Sequence, residues 1–142
     1  MRMLHPIIGT LVVALSVLEK GHLELQLRVA ARNGNVADLA RIVKAAESGP
    51  VDFDLNLDPA FISASAHGRI LAMRYLMDKG ASDTTGALIA ASHRNQIQAA
   101  RFLVYHEARF VDEIDLRLAM VAAGSTGSAE TEFMLLTKII RE

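Results

Sequence analysis

The chain contains no cysteine and no tryptophan. The first absence excludes disulfides, thiol nucleophiles and cysteine-ligated zinc, and it fits a reducing compartment. Aromatic residues are scarce, with five Phe and two Tyr, and there are only three prolines. The sequence therefore lacks both the aromatic and β-branched alternation of strands and the frequent breakers of an all-β chain. No charge sign dominates: fifteen Lys and Arg face sixteen Asp and Glu, for a formal net charge of −1. Affinity for nucleic acid comes mostly from phosphate neutralisation, so nucleic acid is not expected as a partner. No apolar run reaches the roughly 20 residues of a membrane-crossing helix, and no membrane association is expected. What is present is apolar and helix-forming. Half of the chain is apolar (51%) and 22% is charged, over 142 residues. That is the composition of one folded domain with a core of its own, and an all-α chain is expected.

The stretch "IIGTLVVALSVL", residues 7–18, is apolar or small throughout. It has the length of a signal peptide's apolar region. No A-x-A cleavage pattern follows it, and "LEKGHLELQL" continues directly as an amphipathic helix. The expected reading is a buried helix over residues 1–21, at one end of a cytoplasmic domain.

A pattern then recurs. Ala30-Ala31-Arg32-Asn33-Gly34, Ala64-Ser65-Ala66-His67-Gly68, Ala91-Ser92-His93-Arg94-Asn95 and Ala123-Gly124-Ser125-Thr126-Gly127 are four versions of one helix end. Their first alanines are spaced by 34, 27 and 32 residues. A second helix follows each, with apolar residues on one face: Leu39, Ile42 and Val43; Met73, Leu76 and Met77; Ala100, Leu103 and Val104; Leu135 and Leu136. The glycine favours the left-handed backbone of a reversal, and Asn95 stands in for it in the third copy. Gly80 after "LMDK" reads as a helix stop.

These residues resemble the ankyrin repeat. "AARNGNVADLARIV", "ASAHGRILAMRYLMDKGAS" and "ASHRNQIQAARFLVYHEAR" match its helix–turn–helix core, whose period is about 33 residues. The resemblance implies an all-α, ankyrin-like solenoid of stacked helix pairs: a helix over 1–21, then pairs over 22–49, 59–80, 86–107 and 116–142. "LSVLEKGH" looks like the end of a preceding second helix. The family's Thr-Pro-Leu-His start is absent, the corresponding stretches being "LQLR", "PAFI", "GALI" and "LAMV". The link after Gly80 is also short, so β-hairpin loops are expected to be short or missing. Glu132 occupies the face held by Met73, which reads as a terminal cap with one polar side in water.

Catalytic signatures do not emerge. "GSTGS", residues 124–128, precedes a helix but lacks the lysine and strand of a phosphate loop. No G-x-S-x-G elbow occurs. His67 and His93 end consecutive first helices, but two histidines do not make the three or four ligands of zinc. No cofactor and no metal are expected, and an enzyme is not.

Two surfaces are candidates for binding. Acidic loops carry Asp52, Asp54, Asp58, Asp83, Asp112, Glu113 and Asp115, seven of the sixteen acids, so stacking would align them along one edge. Phe53 and Phe110 lie among them, with Leu55 and Ile114. That edge is either a contact for a basic partner or a row of solvated helix caps, with capping the favoured reading. The resemblance also implies a groove at the two residues before each turn glycine: Arg32 and Asn33, Ala66 and His67, His93 and Arg94, Ser125 and Thr126. The expected function is a non-catalytic protein-interaction module that occupies a partner's surface. It would be an inhibitor, adaptor or assembly factor, of the kind that viruses and intracellular bacteria direct at host proteins. The alternative is a structural protein that forms a homo-oligomer through its apolar N-terminal helix.

Overall fold

The computed structural model describes residues 4–48, 54–106 and 111–141. Among them lie eight helices and no strand: α1 (Leu4–Asn33), α2 (Val36–Ser48), α3 (Asp58–Ala66), α4 (Ile70–Asp78), α5 (Thr84–His93), α6 (Ile97–His106), α7 (Glu113–Ser125) and α8 (Ala129–Arg141). They pair as α1–α2, α3–α4, α5–α6 and α7–α8. The first helices pack on one another in chain order, forming an inner layer; the second helices form a looser outer layer.

The layers follow from side-chain size. Ala60 and Ala64, Ala87 and Ala91, and Ala119 and Ala123 are fully buried along α3, α5 and α7. Small residues four apart lie on one face of a helix and let the inner helices approach closely. The outer helices supply the bulk of the core: Leu39, Ile42, Met73, Leu76, Leu103 and Leu135 are fully buried.

All four reversals share one turn. Gly34, Gly68, Asn95 and Gly127 have φ of 71, 68, 54 and 72°. In each, the following amide donates to the carbonyl five residues back: Asn35 to Ala30, Arg69 to Ala64, Gln96 to Ala91 and Ser128 to Ala123, over 2.8–2.9 Å. The turn residue's own amide bonds three residues back, which completes a Schellman motif. Consecutive turns also touch. Arg69 lies across Gly34 and donates from Nε to the Arg32 carbonyl at 3.0 Å, and the Gln96 side chain lies on Gly68 where a Cβ would stand. In the last pair Thr131 Oγ1 donates to Asn95 Oδ1 at 2.8 Å.

Three expectations are corrected. No break occurs near Gly21: α1 is one helix of 30 residues, about 45 Å long. Gly21 lies among Leu, Glu and Lys, and one exposed glycine costs a helix only ~1 kcal/mol. The start of α1 is also not buried, since from Ile7 to Leu18 its large apolar side chains are more than half exposed. From Ile7 onward, the first buried side chain of α1 is Leu27. In the last pair, Glu132 is half-buried near Gly124 rather than marking a polar outer side. Thr131, Met134 and Leu135 face the core, and Leu136 is exposed.

Candidate functional site

The inner layer carries an open groove of about 750 Å³. From α1 come Leu25, Arg28, Val29 and Arg32; from α3 come Pro59, Ile62, Ser63 and Ala66, with His67 just beyond; Arg94 follows α5. The two sets of four have the same spacing, +0, +3, +4 and +7, so each is one stripe of its helix. The stacking of α1 on α3 sets the stripes side by side.

The lining is apolar and positive. Leu25 and Val29 are more than half exposed, and Ile62 and Ala66 are half-buried beside them. Arg28, Arg32 and Arg94 contribute three guanidinium groups, and among the described residues no Asp or Glu lines the groove. His67 Nδ1 donates to the Ser63 carbonyl at 2.8 Å, leaving Nε2 as the ring's free position. Weakly hydrated guanidiniums over apolar surface suit carboxylates presented together with apolar side chains.

Of the groove residues expected from sequence, Arg32, Ala66, His67 and Arg94 line this cavity. Asn33 and His93 are exposed and do not line it. Ser125 and Thr126 are not among its residues, and their hydroxyls turn back onto their own helix end, donating to the carbonyls of Ala122 and Ala123. Sequence reasoning missed Leu25, Arg28, Val29, Pro59, Ile62 and Ser63. The stripe spacing was available as a signal, but its use requires knowing that α1 belongs to the inner layer.

The acidic loops do structural work. Asp83 caps α5 by accepting from the Gly86 amide at 2.9 Å. Asp58 accepts from the amides of Ser82 and Asp83, tying α3 to the start of α5. Asp112 and Asp115 form a reciprocal capping box on α7, and Asp115 also accepts from Thr85 Oγ1 at 2.9 Å. Glu113 pairs with Arg117 at 2.7 Å. Asp54 is exposed beside a cavity of about 380 Å³ that also has Glu47 and Lys79 in its wall. Asp52, Phe53 and Phe110 lie outside the described residues. Sequence reasoning also missed Glu24 of α1, which accepts from the Asn56 amide at 3.0 Å and continues the same series of braces.

Among the described residues no three His, Asp or Glu side chains converge as a metal site would need, and no helix is long and apolar enough to cross a membrane. Comparison with family models, with curated proteins and with solved structures gives no match.

Proposed function

We propose that the chain is a non-catalytic protein-interaction module, an ankyrin-like stack of helix pairs whose inner groove takes an acidic, amphipathic segment of a partner protein. The observation that carries this is the groove's lining: three arginines with no carboxylate among them, set around Leu25, Val29 and Ile62. The four repeated turns support the ankyrin-like reading. The acidic edge is the weaker docking surface, because Asp58, Asp83, Asp112 and Asp115 already hold backbone amides of the chain itself. A module of this kind works by occupancy, as an inhibitor, adaptor or assembly factor.

The test is affinity capture of the partner from the native cell with three versions of the chain. Arg28→Glu combined with Arg94→Glu is expected to weaken capture at least about tenfold, and raised salt should weaken it in the unmodified chain. Glu113→Lys, on the acidic edge, is expected to leave capture unchanged. The reverse result would move the docking surface to the edge.

A further inference from the structure

The face that lines the groove continues past α3. On α1 and α3 the lining falls at the same four places: nine, six, five and two residues before Gly34 and before Gly68. The buried alanines of the inner layer repeat in the same register, eight and four residues before the turn on α3, α5 and α7. The corresponding four places on α5 and α7 therefore look toward the same side as the groove. All of them are exposed or half-buried.

The pattern at these places is regular. A segment that crosses the inner helices at mid-height meets a large and then a small side chain on each: Ile62 and Ser63, Ile89 and Ala90, Val121 and Ala122. Packed helices repeat at ~9 Å, so the small side chains leave holes at about that interval. Residues seven apart on a helix share a face and are about 10.5 Å apart, close to the interval. Same-face residues of a strand are ~6.7 or ~13.4 Å apart and fit it worse.

Charge is confined to one end. Arg28 and Arg32 hold two of the places on α1, and Arg94 lines the groove with them. Among the described residues none of the three is in an ion pair. The places on α3, α5 and α7 hold no Lys, Arg, Asp or Glu. At the far end, Leu118 and Val121 are 47 and 72% exposed, although α7 is the last inner helix and has no further neighbour to pack against them. The inner face is thus positive over α1 and uncharged and apolar over α7.

On the reading that the groove is the docking surface, we infer that the partner's segment is an amphipathic helix laid across all four inner helices. Its carboxylates lie at the end over α1, and its other end is uncharged and apolar, over α7. Three packing steps of ~9 Å make a path of about 27 Å, which a helix of about 18 residues covers. The bare arm of α1, residues 7–18, is not that helix in a second copy, because it carries no Asp or Glu to meet the arginines.

A display library of random 18-residue peptides, panned on the full chain, tests this, with affinities of the enriched peptides read by fluorescence anisotropy. Those peptides are expected to carry Asp or Glu at one end and an apolar helical stripe throughout. Leu118→Glu with Val121→Glu is expected to weaken binding at least about tenfold and to leave its salt dependence unchanged. Arg28→Glu with Arg94→Glu is expected to weaken it by a similar factor and to reduce the salt dependence. A photo-crosslinker in place of Leu25 is expected to mark the acidic end of the peptide, and one in place of Leu118 the other end. Peptides that depend on the arginine pair but not on the α7 pair would overturn the inference and leave the groove reading standing, as would crosslinks in the reverse order. An empty selection, or peptides indifferent to both pairs, would remove the groove reading itself. Circular dichroism melts verify folding; should the α7 glutamate pair melt early, Leu118→Ser with Val121→Ser takes its place with the same expected loss.

Discussion

Ser65 and Ser92 hold the same place in consecutive repeats, one residue after the first alanine of each helix end, and both are fully buried. Ser65 Oγ donates to the Phe61 carbonyl at 2.8 Å, whereas Ser92 Oγ has no partner. A buried hydroxyl without a hydrogen bond costs about 1–3 kcal/mol, while one with a bond contributes about 1. Ser92→Ala is therefore expected to stabilise the fold by about 1 kcal/mol, and Ser65→Ala to destabilise it by a similar amount. Urea midpoints moving in opposite directions at constant slope would show it; a loss in both would mean that Ser92 is bonded in solution. Asn95 is the complementary case, since it answers two demands at once. It adopts a φ of 54°, which Asn tolerates better than most residues, and it accepts from Thr131 in the next pair. Asn95→Gly would keep the first and lose the second, whereas Asn95→Ala would lose both. The expected order of midpoints is Asn above Gly above Ala, with the Ala variant lower by about 2 kcal/mol. The need for a left-handed residue here was legible in the sequence, because the position aligns with three glycines. Its bond to Thr131 was not, because that residue lies 36 positions away.

At the scale of one element, α1 shows how little of a helix need be packed for it to be a helix. Leu27 is fully buried and Leu11 is 56% exposed, on the same helix and with the same propensity. Leu27→Ala is expected to cost about 3 kcal/mol, while Leu11→Ala should shift stability by no more than ~0.5. Thermal melts in dilute solution, where copies do not meet, would verify the contrast. An equal loss at both sites would mean that the arm folds onto the body. The helix was expected to stop at residue 21 because "LSVLEKGH" resembles the end of a second helix of the repeat, with its glycine at the stop. Glycine terminates a helix only where the chain takes up the left-handed turn, as at Gly34, and not wherever it occurs. The N-terminus of α7 was easier to read. Asp before an apolar helical run has a local reason to exist, and Asp112 with Asp115 makes both bonds of a capping box. Asp112→Ala is expected to cost about 1 kcal/mol, with the loss visible as faster amide exchange in the first turn of α7.

For the whole molecule, the pairs are joined by two rows of contacts that flank the alanine-lined inner layer. On the turn side each pair lays a side chain on the preceding turn: Arg69 on Gly34, Gln96 on Gly68, Thr131 on Asn95. On the loop side, side-chain oxygens of one pair brace the next: the Glu24 and Asp58 carboxylates accept from the amides of Asn56 and Ser82, and the Thr85 hydroxyl donates to the Asp115 carboxylate. Nearest-neighbour joints of this sort make stability a property of the stack rather than of any pair. They also explain why the acids of the loops were ambiguous in sequence. A carboxylate that caps or braces and one that awaits a partner have the same letter, and only the position of the neighbouring backbone separates them. The groove has the same character: Arg28 and Ile62 are 34 residues apart, and nothing local in either segment indicates that they share a surface.

The sequence by itself determined the elements: the all-helical class, the four reversals and the residues that make them, and most of the buried side of each outer helix. These follow from spacing and backbone preference, which act over a few residues and so are written where they act. The tertiary structure alone decided which surfaces remain free. That residues 7–18 of α1 are bare, that Ile114, Val121 and Phe133 stay exposed, and that no carboxylate among the described residues lines the groove beside its three arginines all depend on which helices lie beside which. Exposure is a relation between distant segments, and periodicity within one segment shows that a side is apolar without showing what, if anything, covers it.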